Sequence, residues 1–339
     1  RQEADRLVRF CQEFGVKNLF SPPIDVLGDG LKKTIIREIR IEDLLGREEI
    51  KVNTREIEAY FAGKVVMVTG AAGSIGSELC RQLATLGVAH LVLFDNAETP
   101  MHELRLELER NFSSLKFTPF VGDVRQKERL RGAFEKFRPR VVFHAAAYKH
   151  VPLMEENPCE AVRVNVVGSR LVADFCVEYG VEMMVMISTD KAVNPTNIMG
   201  ASKRIMEDLV MAYNTLFKVT TARFANVAFS NGSLPDGWIH RLQKKQPLAA
   251  PSDVKRYFVS PEESGQICML ACILGNGGEV FFPKLGEDQM LTFSAICDDF
   301  VKAEGFKKVE CDNDAAAKHY AAEMDYESDT YPVVYFKSD

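Results

Sequence analysis

A hydroxyl, a carboxyl and an amine stand side by side in the chain at Thr189, Asp190 and Lys191. A carboxylic acid can protonate a leaving group and a neutral amine can remove a proton, so this pair suits general acid and base catalysis. Those roles require burial to lower the pKa of Lys191 and to raise that of Asp190. The alternative is that the three residues cap a strand and are solvated. A second lysine, Lys203, can stabilise developing negative charge.

Short apolar runs separated by longer amphipathic stretches must position these residues. Continuous apolar runs of this kind predict strands of a parallel sheet that is covered by helices on both faces. We therefore predict an α/β fold with a doubly wound Rossmann sheet. Ligands bind at the carboxyl ends of such strands, where Thr189 lies. The runs are Val65–Val68, Leu91–Phe94, Phe117–Val121, Val141–Phe143, Met183–Ile187 and Thr220–Phe224.

The distribution of these runs divides the chain into three parts. We predict an ordered N-terminal extension over residues 1–62, with a helix near residues 5–14. The Rossmann domain is predicted over residues 63–225. The regular alternation is lost beyond that point, so residues 226–339 are predicted to form a smaller ligand-binding domain.

The first apolar run leads directly into a glycine turn. Gly70, Gly73 and Gly76 follow the strand and open a helical pattern that includes Ser74 and Ile75. Glycines at this spacing let the backbone turn tightly and approach a pyrophosphate at the helix N-terminus. The order of strand, turn and helix predicts a dinucleotide site.

The second run is followed directly by a carboxylate, Asp95, which selects between the two nicotinamide dinucleotides. Asp95 can accept both ribose hydroxyls and would repel a 2′-phosphate, and no arginine follows it in Asn96-Ala97-Glu98. NAD is therefore predicted rather than NADP.

The ends of the third and fourth strands complete the predicted cofactor site. Asp123, followed by Val124, could meet the adenine amino group, and a plain turn aspartate is the alternative. The small residues Ala145 and Ala146 leave room for the cofactor. His144 is interpreted as a hydrogen-bonded core histidine.

Composition excludes several other classes of protein. A net charge of −6 and a pI near 5.7 do not favour a nucleic-acid surface. No apolar run is long enough for a bilayer crossing, and no signal peptide is recognised. The eight cysteines show no paired spacing, so we expect buried free thiols in a reducing cytoplasm and no metal site.

Three longer strings carry a resemblance to a known family. They are residues 146–155 (AAYKHVPLME), 165–168 (NVVG) and 188–204 (STDKAVNPTNIMGASKR). Together with the glycine turn, they resemble the extended short-chain dehydrogenase/reductases, and more narrowly the bacterial nucleotide-sugar 4,6-dehydratases of polysaccharide biosynthesis. The resemblance covers roughly residues 39–287. Residues 42–47 are similar to the segment that precedes the catalytic part in members with an N-terminal membrane anchor, so the full-length protein can be anchored.

The resemblance implies a reaction and a role for each catalytic residue. A 4,6-dehydratase uses NAD to oxidise C4 of the sugar, eliminates water across C5 and C6, and then reduces C6. Lys191 would be the base at C5, Asp190 the acid at C6, and Thr189 would hydrogen-bond the C4 hydroxyl. Lys203 would hold the nicotinamide ribose. The resemblance further implies an enzyme that acts on a nucleoside-diphosphate N-acetylhexosamine, with UDP-GlcNAc favoured. Helices of this fold usually pair subunits, so we expect a homo-oligomer in the cytoplasm.

One residue departs from the wider family. A tyrosine usually stands four residues before the active-site lysine, but this chain has Met199, as in the subgroup that carries Thr-Asp-Lys. Methionine cannot accept a proton, so either Lys203 or a water molecule is the base at C4. Met199 favours a dehydratase over the runner-up, a nucleotide-sugar epimerase. A non-catalytic dinucleotide-binding module is the remaining alternative.

The resemblance also implies contacts to the substrate. Asn226 and Arg256 match family segments that reach the diphosphate, and a guanidinium suits phosphate oxygens. Lys149 and Asn165 lie within the resembling strings, and Asn165 would also help to position Lys203. Two departures, Ala225 and residues 229–233, leave the choice of nucleotide open. Trp238 is predicted either to stack on a base or to pack in the protein.

Overall fold

The computed structural model describes residues 54–324 and 328–337. The helix predicted near residues 5–14, and the predicted extension up to residue 53, lie outside these ranges. Within the described ranges, no helix combines the length and apolar character that crossing a bilayer requires.

The predicted parallel sheet is confirmed. The strands, in chain order, are β1 (Val65–Thr69), β2 (His90–Asp95), β3 (Phe117–Val121), β4 (Val141–His144), β5 (Met183–Thr189), β6 (Lys218–Phe224), β7 (Asn226–Val227), β8 (Leu248–Pro251), β9 (Lys255–Arg256), β10 (Phe258–Val259), β11 (Val280–Phe281), β12 (Leu291–Thr292), β13 (Lys307–Glu310) and β14 (Thr330–Phe336). The sheet has the order β11-β6-β5-β4-β1-β2-β3, and every neighbouring pair is parallel. This order reverses between β1 and β4, which is where an open α/β sheet forms its ligand crevice.

Helices cover this sheet and bury its apolar strands. Val92, Val142 and Met184 are fully buried in a core that they share with the helices at residues 127–137, 169–178 and 198–212. A π-helix, Val162–Gly168, and a 3₁₀ helix, Asp190–Ala192, interrupt the regular pattern next to the site. The α-helices are α1 (Thr54–Phe61), α2 (Ser74–Ala84), α3 (Glu98–Asn111), α4 (Lys127–Phe137), α5 (Val151–Glu156), α6 (Pro158–Ala161), α7 (Ser169–Glu178), α8 (Ile198–Ala212), α9 (Leu234–Gln243), α10 (Pro261–Leu274), α11 (Phe293–Ala303) and α12 (Asp314–Glu323).

The described residues form two compact units. The larger unit holds residues 54–227 and 261–284, so α10 and β11 return to the Rossmann sheet after an excursion of the chain. The smaller unit holds residues 228–260 and the described part of residues 285–337.

The smaller unit has its own core, built around a three-stranded parallel sheet in the order β13-β14-β8. Trp238 is 1% exposed in this core, where it contacts Phe300, and its indole Nε1 donates to the carbonyl of Ala249 at 2.9 Å. Of the two roles considered for Trp238, the structure therefore shows packing.

The cysteines within the described ranges are free thiols. Most are buried, as predicted, and burial raises the pKa of the Cys176 and Cys268 thiols well above the ordinary value. Cys159 is exposed and Cys311 is half-buried, so the prediction of burial is wrong for these two. Cys11 lies outside the described residues.

Candidate active site

The glycine turn after β1 is shaped by two close approaches of the backbone. Gly70 has a φ of +69°, and a Cβ there would lie 2.5 Å from the amide nitrogen of Ala146. A Cβ on Gly76 would lie 2.0 Å from the carbonyl oxygen of Gly70. Only glycine fits either position, so α2 packs tightly on the strand and leaves its N-terminus open toward a ligand.

The N-terminus of α2 and the carboxylate of Asp95 face the same cleft. Gly73 is the N-cap residue, so Ser74, Ile75 and Gly76 form the first turn, whose amides make a site for anions. Asp95 ends β2 and accepts hydrogen bonds from the amides of Ala72 and Ala97, each at 2.9 Å. The carboxylate is therefore held in place at the end of its strand.

The third strand contributes a carboxylate that is already engaged by protein groups. Asp123 accepts from the amide of Arg125 at 2.8 Å and from its Nη2 at 2.7 Å, and also from Asn96 Nδ2 at 3.2 Å. Arg125 lowers the pKa of Asp123 below its usual range, and its Nη1 also pairs with Glu160. The role of Arg125 in orienting Asp123 was missed by the sequence analysis.

The cleft between these elements fits a dinucleotide. Its lining combines small residues, backbone amides and two carboxylates, and it contains no lysine or arginine among the described residues. A 2′-phosphate would meet the negative charge of Asp95 without a compensating cation, so the lining fits NAD better than NADP. The lining residues are Gly70, Ala72, Gly73, Phe94, Asp95, Asn96, Ala97, Gly122, Asp123, Val124, Ala145, Ala146, Ala147, Tyr148 and Val164.

Thr189, Asp190 and Lys191 form one hydrogen-bonded cluster at the end of β5. Thr189 Oγ1 donates to Asp190 Oδ1 at 3.0 Å, and Lys191 Nζ lies 3.4 Å from the same oxygen. The side chains of Asp190 and Lys191 are 43% and 36% exposed. The predicted burial of these two groups is therefore wrong for this structure, in which they form a partly solvated ion pair.

Lys203, in contrast, is deeply buried on α8. It is 6% exposed, and its Nζ donates to the carbonyl of Ile187 at 3.1 Å, two residues before Thr189. Burial lowers the pKa of Lys203 to about 8, and the nearby carboxylate of Glu207 opposes this effect. The contact with Ile187 places the Lys203 amine beside the carboxyl end of β5.

An ion pair that joins this helix to β6 was not recognised in the sequence. Glu207 is 4% exposed and accepts from Arg223 Nη2 at 2.5 Å and from Arg223 Nε at 3.2 Å. The spacing of Glu207 one helical turn after Lys203 was the only local signal for it.

Asn165 is the centre of a buried hydrogen-bond network. It is fully buried in the π-helix, it bonds both the amide and the carbonyl of Tyr148, and its Nδ2 donates to Ser202 Oγ at 2.9 Å. Its amide group is used by protein partners, one of which is Ser202 next to Lys203, and this fits the predicted positioning of Lys203 better than contact with substrate.

His144 continues this network, and its prediction as a hydrogen-bonded core residue is confirmed. It is fully buried, with Nδ1 2.6 Å from Thr69 Oγ1 and Nε2 2.8 Å from Ser169 Oγ. Burial lowers its pKa to about 3, so the imidazole is neutral. Ser169 Oγ in turn donates to the carbonyl of Asn165 at 2.6 Å.

Met199 is 2% exposed and packs in an apolar cluster with Met154 and Ala161. The adjacent Gly200 lets α8 approach the 3₁₀ helix, because a Cβ there would lie 2.6 Å from the carbonyl oxygen of Lys191. The elements that carry Lys191 and Lys203 are thus in direct contact.

The other residues predicted to contact the substrate are Asn226, Lys149 and Arg256. Asn226 is half-buried, and its Nδ2 has no hydrogen-bond partner among the described residues, which leaves a donor for a polar ligand. Lys149 is exposed after the fourth strand. Arg256 is exposed in the smaller unit, where its Nη1 donates to the carbonyl of Lys255.

The sheet order, the glycine turn and the buried lysine define a class of protein, the extended short-chain dehydrogenase/reductases. Within this class, the profile of the polysaccharide biosynthesis protein family matches residues 66–318, and the chain belongs to that family.

Curated relatives carry names of two enzyme types. The capsular polysaccharide biosynthesis protein CapD of Staphylococcus aureus is 36% identical over 85% of this chain and 49% of its own length. A UDP-N-acetylglucosamine 4,6-dehydratase (inverting) of Campylobacter jejuni is 34% identical over 66% of this chain and 68% of its own. A UDP-glucose 4-epimerase of Rickettsia typhi is 33% identical over 66% and 67%. The chain spans about half the length of the first of these relatives.

Solved structures share the fold. The crystal structure of DesIV, a dTDP-glucose 4,6-dehydratase of Streptomyces venezuelae with NAD and TYD bound, has a TM-score of 0.62. It is 19% identical over 81% of this chain and 88% of that chain, so the likeness concerns the fold alone.

Proposed function

We propose that this chain is an NAD-dependent enzyme of polysaccharide biosynthesis that removes water across C5 and C6 of a nucleoside-diphosphate N-acetylhexosamine, with UDP-GlcNAc as the favoured substrate. The observation that carries the proposal is the cluster of Thr189, Asp190 and Lys191 at the end of β5, next to the buried amine of Lys203. The name of the Campylobacter relative supports the choice of substrate.

Groups of the glycine turn and the second strand would hold the cofactor. The first-turn amides of α2 would bind the pyrophosphate, and the Asp95 carboxylate would accept the adenosine ribose hydroxyls. When bound, NAD supplies the oxidation of C4 and the later reduction of C6, so the net redox change is zero.

Oxidation at C4 needs a group that removes the hydroxyl proton. Lys203 is the best candidate, because a pKa of about 8 leaves roughly a tenth of its amines neutral near pH 7. Thr189 Oγ1, which donates to Asp190 in this structure, turns to hold the C4 oxygen. The methionine at position 199 is packed away among apolar residues and has no proton-accepting group.

Elimination then uses the ion pair itself. Transfer of one proton from Lys191 Nζ to the Asp190 carboxylate converts the pair into a neutral amine and a carboxylic acid. Lys191 removes the C5 proton, which the adjacent ketone acidifies, and Asp190 protonates the C6 hydroxyl, which leaves as water. A bound sugar would displace water from these half-exposed groups.

An epimerase is the alternative within the same family, and the name of the Rickettsia relative favours it. Such an enzyme inverts one carbon and has no use for an acid and a base placed to remove water. The mass of the product therefore separates the two functions.

The test is to incubate the purified protein with UDP-GlcNAc, and separately with GDP-GlcNAc, in heavy water. Loss of one water with one deuterium incorporated at C5 supports the proposal and identifies the nucleotide. An unchanged substrate mass with altered stereochemistry refutes it in favour of the epimerase. Asp190→Asn and Lys191→Met are expected to abolish turnover while retaining NAD affinity, whereas Asp208→Asn, which alters an exposed acid on α8, is expected to retain both.

A further inference from the structure

The ion pair between the buried Glu207 and the partly exposed Arg223 has no role in the chemistry proposed above. Arg223 lies in β6 directly opposite Ser188 of β5, and residues paired across parallel strands project to the same face of the sheet. The guanidinium reaches α8 on that face and meets the Glu207 carboxylate through two nitrogens. Such a bidentate pair is geometrically specific and strong when it is removed from water.

Glu207 has a second cationic neighbour on its own helix. Lys203 precedes it by one helical turn, so the two side chains lie on the same face of α8. The carboxylate acts to raise the pKa of Lys203, but burial is the larger effect and the pKa falls to about 8. One buried carboxylate therefore lies near two cations, the buried Lys203 and the partly exposed Arg223, and Arg223 holds it by direct hydrogen bonds.

We propose that Glu207 and Arg223 are positioning residues that set the protonation state of Lys203 by dividing one buried negative charge between two cations. Arg223 withholds part of the Glu207 charge from Lys203 and so keeps the amine partly neutral. The importance of this state for catalysis rests on the proposed function, since a partly neutral Lys203 can accept the C4 hydroxyl proton.

In this arrangement Glu207 and Arg223 have opposite effects on the pKa of Lys203. Without Arg223, the full charge of Glu207 faces one amine, and the protonated form of Lys203 is stabilised. Without the Glu207 charge, Arg223 and Lys203 repel each other where little water can screen them, and protonation of Lys203 is disfavoured. Loss of packing alone would instead hydrate Lys203 in both variants and move its pKa in one direction.

Other charged or titratable groups face the same region from neighbouring elements, and they are unchanged in the variants below. His144 on β4 is neutral, and the pair of Asp190 and Lys191 lies on the 3₁₀ helix that contacts Gly200. Glu155 on α5 accepts from the amide of Ile198 at the start of α8.

The experiment is an NMR titration of the cofactor-free protein labelled with [6-¹³C]lysine, in which the signal missing from a Lys203→Arg variant identifies Lys203. Arg223→Met is expected to raise the pKa of Lys203 by about one unit or more, and Glu207→Gln to lower it by a similar amount. Arg223→Lys keeps the cation and is expected to stay near the native value, which provides a reading if Arg223→Met does not fold.

Asp208→Asn is the matched control, because Asp208 pairs with Arg204 at 3.0 Å on the exposed side of the same helix. Equal shifts in Glu207→Gln and Arg223→Met, or shifts no larger than that of the control, would overturn the inference. With Arg223→Met unfolded, a shift of Arg223→Lys that matches Glu207→Gln in sign and size would overturn it as well. Opposite shifts in a protein that turns over no nucleotide sugar would support the inference and refute only the proposed function.

Discussion

Replacing Gly70 by alanine tests whether the glycine turn shapes the cofactor cleft. The new Cβ would lie 2.5 Å from the amide nitrogen of Ala146 and 2.6 Å from the carbonyl carbon of Ala145, whereas ordinary contact begins at 3.4 Å. Neither neighbour is a flexible side chain, so the backbone after β4 has to move away from the turn. Both alanines line the cleft, and the movement therefore changes the space available to the dinucleotide.

Gly70→Ala has two costs, the strain of a left-handed φ and the displacement of the neighbouring backbone. A left-handed φ costs an alanine roughly 1–2 kcal/mol, and Gly180→Ala incurs only this cost, because its φ is also +69° and its Cβ would meet nothing within 4 Å. Gly70→Ala adds the displacement of the backbone. Overpacking of this kind costs roughly 1–3 kcal/mol, so NAD affinity is expected to fall by about 5- to 150-fold.

Calorimetric titration with NAD and denaturation in urea are the assays. Gly180→Ala is expected to lose stability while keeping NAD affinity within about threefold of the native value, since affinity and stability at separate sites are independent. Equal NAD affinities for folded Gly70→Ala and Gly180→Ala would refute the assignment of this turn to the cofactor.

Three further predictions concern buried polar groups. The pKa of Lys203 in the folded protein, about 8, lies below the ordinary value of 10.5. Burial of the protonated amine therefore destabilises the folded protein below pH 8, and this destabilisation is relieved as the pH rises from 8 to 10.5. The free energy of unfolding should therefore rise by about 3 kcal/mol between these pH values, and Lys203→Met should remove that rise. A Lys203→Met variant whose stability depends on pH as the native protein's does would contradict the prediction. Asn165→Ala should cost about 2–4 kcal/mol in urea denaturation, because the amide and carbonyl of Tyr148 lose their partner, whereas a cost below about 1 kcal/mol would show that the network is dispensable. Trp238→Phe should cost about 1 kcal/mol through loss of its bond to Ala249, with the affinity for UDP-GlcNAc unchanged by calorimetry. A tenfold loss of that affinity would argue against a purely packing role.

Features that depend on local sequence could be predicted. Phe117–Val121 was predicted with the boundaries that the structure has, and the other long strands of the sheet were located to within two residues at either end. The glycine turn was recognisable because strand, turn and helix are consecutive in the chain. The histidine at 144 was correctly interpreted because an apolar run placed it inside the sheet, where a polar ring needs partners.

Features that depend on distant partners could not be predicted. The pairing of Glu207 with Arg223 joins a helix to a strand across the core, and neither residue shows its partner in the sequence. The return of residues 261–284 to the larger unit likewise depends on which apolar surface α10 meets. The exposure of Asp190 and Lys191 was mispredicted because catalytic roles were used to infer burial, which depends on the surrounding elements and on a bound substrate.

The π-helix at residues 162–168 has a consequence for how this region can change during evolution. Its wide turn accommodates one more residue than an α-helix, and Gly168 at its end leaves no room for a Cβ beside Val124. Deleting one residue would restore regular winding and rotate the preceding segment, with Asn165, by about 100° relative to α7. In homologous chains, insertions and deletions should therefore fall outside this segment, and an alignment gap within it would mark a chain with a different site.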